Sequence, residues 1–191
     1  IFVRSMHKDK EDDLLLKRIQ ADEEKGLDAL FIKYYPGLLR YCKSQLPYPS
    51  DEAEDIVVEV FFKIWQQRHA LKIKTSFASY LYTVVKNRVH DFYRKRNIAI
   101  HEPLDTIADE PIPDYHAPDE QIVFKELNTE FAKLIEQLPP RTQLIFNMNR
   151  QDNLTYEDIA TVLNISINSV KTHMFRALKF LKEAYRASNS Y

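Results

Sequence analysis

Glycine occurs only twice in 191 residues, as Gly26 and Gly37. A sheet-rich fold or a glycine-rich phosphate loop needs more, because tight turns and close backbone approach depend on residues without a Cβ. Cysteine occurs once, as Cys42, which excludes an internal disulfide and favours a reducing compartment. No apolar run approaches a membrane span, and the first residues resemble no secretory signal. The histidines at 7, 69, 90, 101, 116 and 173 lack ligand-like spacing with one another or with Cys42, so neither a metal nor another cofactor is expected. The carboxylates between Asp51 and Glu59 have no nucleophile–base pair beside them, so the chain is not expected to be an enzyme. The expectation is an all-α, cytoplasmic protein.

Charge of either sign is not scarce, but it is segregated. From Lys72 to Arg96 there are seven basic residues and one acid, Asp91; from Glu102 to Glu120 there are seven acids and no Lys or Arg. From Arg141 to Arg186 there are seven basic residues against four acids. Two basic segments flanking an acidic one suggest two separate surfaces for a polyanion, hidden by a formal net charge of −1.

Along the chain, residues 1–19 read as an N-terminal tail and the start of the first helix. Leu14 to Leu46 carries apolar residues at helical spacing, with an interruption expected near Pro36-Gly37. Ser50 is a candidate N-cap for a helix running to about Arg68, with carboxylates in its first turns. In that helix Ala53, Val57, Val60, Phe61 and Ile64 form a core stripe. Val58 and Phe62 fall on another face beside Asp55 and Glu59. That face suits docking of a basic partner helix, or belongs to a helix buried on two sides. After a break at Leu71–Thr75, a basic and aromatic helix is predicted from Ser76 to about Arg96. Rings interleaved with cations suit single-stranded DNA, while the same rings can equally be core. Residues 99–120 read as a proline-containing acidic linker. Helical patterning resumes near Ile122, and Pro139-Pro140 marks a further helix start.

The stretch LTYEDIATVLNISINSVKTHMFRALKFL has the pattern of a helix-turn-helix. Thr155 and Asp158 form a capping-box pair, Asn164 supplies a left-handed corner, and Ser166 caps the second helix. Val170, Met174 and Leu178 make its inner face. Asn168, Ser169, Lys171, Thr172 and Arg176 are read as outward donors fit for a major groove.

Taken in order, DEAEDIVVEVFFKIW, SFASYLYTVVKNRVHDFYRKR and LPPRTQLIF…LTYEDIATVLNISINSVKTHMFRALKFL resemble bacterial extracytoplasmic-function (ECF) sigma factors, two-domain members of the primary-sigma-like family. Region two would occupy residues 20–98 and region four residues 121–187. The resemblance implies binding to core RNA polymerase, at the clamp coiled coil of its largest subunit, through Asp55, Glu59 and Phe62. Val58 stands where relatives usually carry Gln, and an apolar contact could substitute there.

The resemblance further implies that Asn87 lies at the pocket for a flipped base of the minus-ten element, with Lys72, Lys74 and Ser76 lining the loop beside it. Arg94 and Lys95 match the family's D-x-x-R-[KR] run, and Asp91 reads as a structural partner for a nearby Arg. Asn168, Ser169, Lys171, Thr172 and Arg176 would read the minus-thirty-five element of promoter DNA. The linker would pass through the polymerase interior, and an anti-sigma factor would be a further partner. The competing reading is a stand-alone helix-turn-helix regulator, which leaves the VVEVFFKIW helix and the basic-aromatic helix as coincidences.

Overall fold

The computed structural model describes residues 2–47, 51–73, 75–96 and 129–188. They form eight helices and no strand among the described residues: α1 (Phe2–Gln20), α2 (Glu24–Gln45), α3 (Glu52–Gln66), α4 (Phe77–Lys95), α5 (Thr129–Glu136), α6 (Pro140–Arg150), α7 (Tyr156–Leu163) and α8 (Ile167–Ser188). The fold is all-α. The chain divides into two compact units, one holding α1–α4 and the other built on α5–α8. Ser50, Lys74, the linker 99–120 and the expected helical start at Ile122 lie outside the described residues. No helix among those described is long and apolar enough to cross a membrane.

In the first unit α2 is the central element, packed against α1, α3 and α4. Its stripe of Leu30, Tyr34, Leu38, Tyr41 and Cys42 is buried. The expected interruption at Pro36-Gly37 is corrected: α2 runs through both residues without a break. A proline inside a helix removes the bond from its own nitrogen to the carbonyl four residues earlier. That carbonyl belongs to Ile32, which is 76% exposed, so water can satisfy it while the opposite face stays packed on three helices. The true break comes earlier, at Ala21–Glu23, where Asp22 takes a φ of 63°. Residues 2–20 form α1, anchored by buried Leu15 and Ile19. Gly26 permits the α1–α2 crossing, since a Cβ there would lie 3.0 Å from Arg18 Cβ and 3.1 Å from the Ile19 nitrogen.

The core stripe of α3 is buried throughout, at Ala53, Val57, Val60, Phe61 and Ile64. Burying each of the larger apolar side chains stabilises by about 1.5–3 kcal/mol. The helix opens after Asp51, with three acids in its first turn. Ser76 caps α4 by accepting from the Ser79 N–H at 3.2 Å. Arg96 reaches Glu52 at 2.6 Å and Arg88 reaches Glu59 at 3.7 Å, so α3 and α4 lie antiparallel.

In the second unit α6 opens on Pro140, whose missing N–H costs nothing in a first turn. Thr155 and Asp158 close a reciprocal capping box at the start of α7. Asn164 has the left-handed geometry expected of the corner, with φ 54° and ψ 46°. The Ile165 N–H returns to the Ala160 carbonyl at 3.0 Å, closing the end of α7. Ser166 then accepts from the Ser169 N–H at 3.0 Å and starts α8. Buried Thr142 and His173 share a hydrogen bond of 2.9 Å that ties α6 to α8.

Candidate functional site

Three surfaces bring the sequence-predicted residues together. The first is the outer face of α3. With the core stripe turned inward, Val58 and Phe62 remain 48% and 58% exposed, one helical turn apart. Asp55 and Glu59 are exposed beside them. Among the described residues that face is uncovered, which speaks against a helix buried on two sides. Glu59 is not isolated, because Lys63 pairs with it at 3.0 Å and Arg88 of α4 approaches at 3.7 Å. An apolar pair within an acidic surround can accept a helix carrying cations around an apolar centre.

The second surface is α4 and the segment before it. Phe77, Tyr82 and Tyr93 are buried, whereas Tyr80 and Phe92 are half-buried. Burial pushes the Tyr93 hydroxyl up, and it donates to the Gln45 carbonyl at 2.7 Å, so this ring serves packing. Asn87, Arg94, Lys95 and Lys72 are exposed. Ser76 is half-buried with its hydroxyl engaged in the helix cap. Asp91 receives Arg94 at 2.8 Å and Arg88 at 3.6 Å, which is the structural pairing expected of it. Thr83 and His90 share an exposed stripe with Asn87 and Arg94, at spacings of four, three and four. Sequence reasoning passed over both, although counting along the helix from Asn87 would have found them.

The third surface is the start of α8. Asn168, Lys171 and Arg176 are exposed. Ser169 and Thr172 are not: they are 8% and 6% exposed, which corrects their reading as outward donors. Ser169 is turned toward Ser166, with the two hydroxyl oxygens 3.1 Å apart, and the Thr172 hydroxyl donates back to the Asn168 carbonyl at 2.9 Å. Ile167, 40% exposed in the first turn, was not singled out in the sequence, because an apolar side chain at a cap reads as core.

Two family models account for both halves of this arrangement. Sigma-70 region 2 matches residues 30–98 and Sigma-70 region 4 matches residues 129–181, together more than half of the chain. The chain belongs to the sigma-70 family.

Relatives of this sigma factor include the RNA polymerase sigma-H factor of Pseudomonas aeruginosa, 23% identical over 182 residues, which cover 92% of this chain and 94% of that protein. The ECF RNA polymerase sigma-E factor of Escherichia coli is 22% identical over 173 residues, covering 87% and 90%. Both are matched along nearly their whole length, and this sigma factor is an ECF member. Among solved structures it is similar to CnrH in complex with the cytosolic domain of CnrY, at 15% identity, a TM-score of 0.47 and coverage of 92% and 97%. It is also similar to RpoE in complex with the anti-sigma factor NepR from Bartonella quintana, at 21% identity, a TM-score of 0.41 and coverage of 83% and 97%. Region 2 thus contains α3 and α4, whose exposed faces meet at Glu59 and Arg88, and region 4 contains the helix-turn-helix of α7 and α8.

Proposed function

We propose that this alternative sigma factor docks on core RNA polymerase through Asp55, Val58, Glu59 and Phe62 of α3, and that the docked chain places α4 at the minus-ten element and α8 at the minus-thirty-five element. Its role is promoter-specific transcription initiation, and it contributes binding rather than catalysis, in the cytoplasm and without a cofactor. The observation that carries the docking assignment is the pair Val58 and Phe62, left exposed on a helix whose core stripe is otherwise fully packed. Water-facing apolar side chains of that size beside acids are what a partner helix removes from solvent.

At the minus-ten element, Asn87 receives a flipped base, with Arg94, Lys95 and Lys72 neutralising the displaced strand; Lys74 joins them by its place in the sequence. Ser76 acts indirectly, by capping α4. At the minus-thirty-five element, Asn168 reads a base edge, Ile167 offers an apolar contact to a thymine methyl, and Lys171 and Arg176 hold phosphates. Ser169 and Thr172 set the shape of that helix start instead of touching DNA. An anti-sigma factor that covers the α3 face would hold the chain inactive.

Run-off transcription with bacterial core polymerase on a promoter library tests this reading. Starts that need the chain and disappear with Phe62→Arg support it and report both promoter elements. No starts, with no co-migration with core, would replace it with a stand-alone DNA-binding regulator.

A further inference from the structure

The connection between α3 and α4 is tied down at its beginning by residues of the α1–α2 corner. Arg68, just past the end of α3, has three engagements at once. Its Nε donates to Asp22 Oδ1 at 2.5 Å, one NH group donates to the Trp65 carbonyl at 2.7 Å, and its guanidinium lies 4.3 Å from the Trp65 ring centroid. His69 Nε2 lies 3.3 Å from the same Asp22 oxygen. Two residues further on, the Leu71 carbonyl accepts from Gln20 Nε2 at 3.3 Å, across 51 positions of sequence. Gln20 and Asp22 both sit at the α1–α2 corner.

That corner is itself stiff. Asp22 is held at a positive φ, Arg18 pairs with Glu23 at 2.8 Å across the turn, and Gly26 lets α1 press on α2. The Arg68 hydrogen bond holds the Asp22 carboxyl below its usual carboxylate range. At the far end of the connection, Ser76 is fixed by capping α4. Lys72 and Ile73 follow directly on the anchored Leu71.

We propose that Gln20 and Asp22 are positioning residues for promoter opening: from the α1–α2 corner they brace Arg68 to Leu71 at the start of the α3–α4 connection, so that Lys72, directly after Leu71, is preset beside an unpaired minus-ten base. The inference rests on the initiation reading above and adds to it residues from outside the stretch that the region 2 family model matches, which begins at residue 30. The reason for assigning a positioning role is one of magnitude. Asp22 is exposed, and an exposed ion pair contributes little to stability. Presetting a short loop, by contrast, removes the ordering cost at the moment a base is captured, and small misplacements of such a loop are costly to rate.

The test uses the full chain with core polymerase. Asp22→Gly removes the carboxylate while keeping the positive φ accessible, Asp22→Asn removes only the charge, and Gln20→Ala removes the second tie. Three quantities are read: affinity for core, the rate of duplex opening followed by 2-aminopurine placed in the minus-ten element, and run-off from a template already unpaired there. The brace predicts that Asp22→Gly combined with Gln20→Ala slows opening about tenfold. Affinity for core stays within about twofold, and the pre-opened template recovers most of the loss. Asp22→Asn alone should give a smaller change of the same kind. Opening at the wild-type rate in all variants overturns the proposal. So does a parallel loss of core affinity and opening, which would mean that the corner only holds the unit together. A wild-type chain that binds core yet opens no promoter would instead overturn the initiation reading, and the brace with it.

Discussion

At the scale of single residues, Asp12 organises the polar part of the first unit's interior. It accepts from the Tyr34 hydroxyl at 2.5 Å and from Lys33 at 2.5 Å, while Glu11 takes a second Lys33 contact at 3.0 Å. Asp12→Ala would leave the buried Tyr34 hydroxyl without its acceptor and Lys33 with Glu11 alone, at a cost of about 1–3 kcal/mol in denaturant unfolding. Tyr34→Phe, which leaves Asp12 with Lys33, should cost nearer ~1 kcal/mol. Burial alone would lower the Lys33 pKa, but the bonds to Asp12 and Glu11 leave it raised. Burial and then Asp12 raise Tyr34, and burial pushes the Cys42 thiol from 9.0 up to about 12. Each group therefore binds its proton more tightly folded than unfolded. The stability they contribute is complete below the unfolded values of 9.0, 10.0 and 10.5, and is lost as pH rises through the folded ones. Stability measured against pH should thus decline above 9.0, the ordinary thiol value, and Cys42→Ala should flatten the beginning of that decline. The exposed pair behaves oppositely. Phe62→Ala should change stability by less than about 0.5 kcal/mol, and, if α3 docks on core as proposed, lower core affinity severely.

At the scale of elements, α2 and the α7–α8 corner respond to different physics. Pro36→Ala restores an N–H donor for the Ile32 carbonyl on an exposed face, and should stabilise the first unit by about 1–3 kcal/mol. Gly26→Ala should destabilise it, because α1 backbone lies 3.1 Å from the new Cβ and cannot yield as a side-chain tip can. In the second unit, Asn164→Ala forces an ordinary residue into left-handed geometry, at about 1–2 kcal/mol, and Thr155→Ala loses the capping box at about 1 kcal/mol. Both losses fall on the corner that orients α8. They should weaken minus-thirty-five recognition without altering core binding, which separate affinity measurements would show.

At the scale of the whole molecule, the segregated charge sets the binding behaviour. Two basic segments on one chain of net charge −1 give weak contacts singly and strong ones when both are engaged. The free chain should bind promoter DNA poorly, and its complex with core should bind tightly and with steep salt dependence. In that complex Lys171→Ala should weaken all promoters alike and reduce the salt slope by about 1, whereas Asn168→Ala should cost roughly 1–3 kcal/mol at one base pair. Titrating affinity against salt on matched and mismatched promoters separates the two.

What the sequence determined by itself was everything whose signal is local or periodic. The α3 stripe repeats at helical spacing, and the capping box, the Asn164 corner and the Ser166 cap each depend on residues within a few positions of one another. Those features were legible because short-range hydrogen bonds and helix periodicity need no knowledge of the partner. Burial does need it. The tertiary structure alone decided that α2 runs through Pro36, because three helices pack on its other face and outweigh one missing bond. It alone left Val58 and Phe62 bare, turned Ser169 and Thr172 inward, and sorted the rings of α4 into packed and accessible. And it alone brought Gln20 and Asp22 to the start of the α3–α4 connection, about fifty positions away in sequence, since only the folding of α1 and α3 onto α2 makes those residues neighbours.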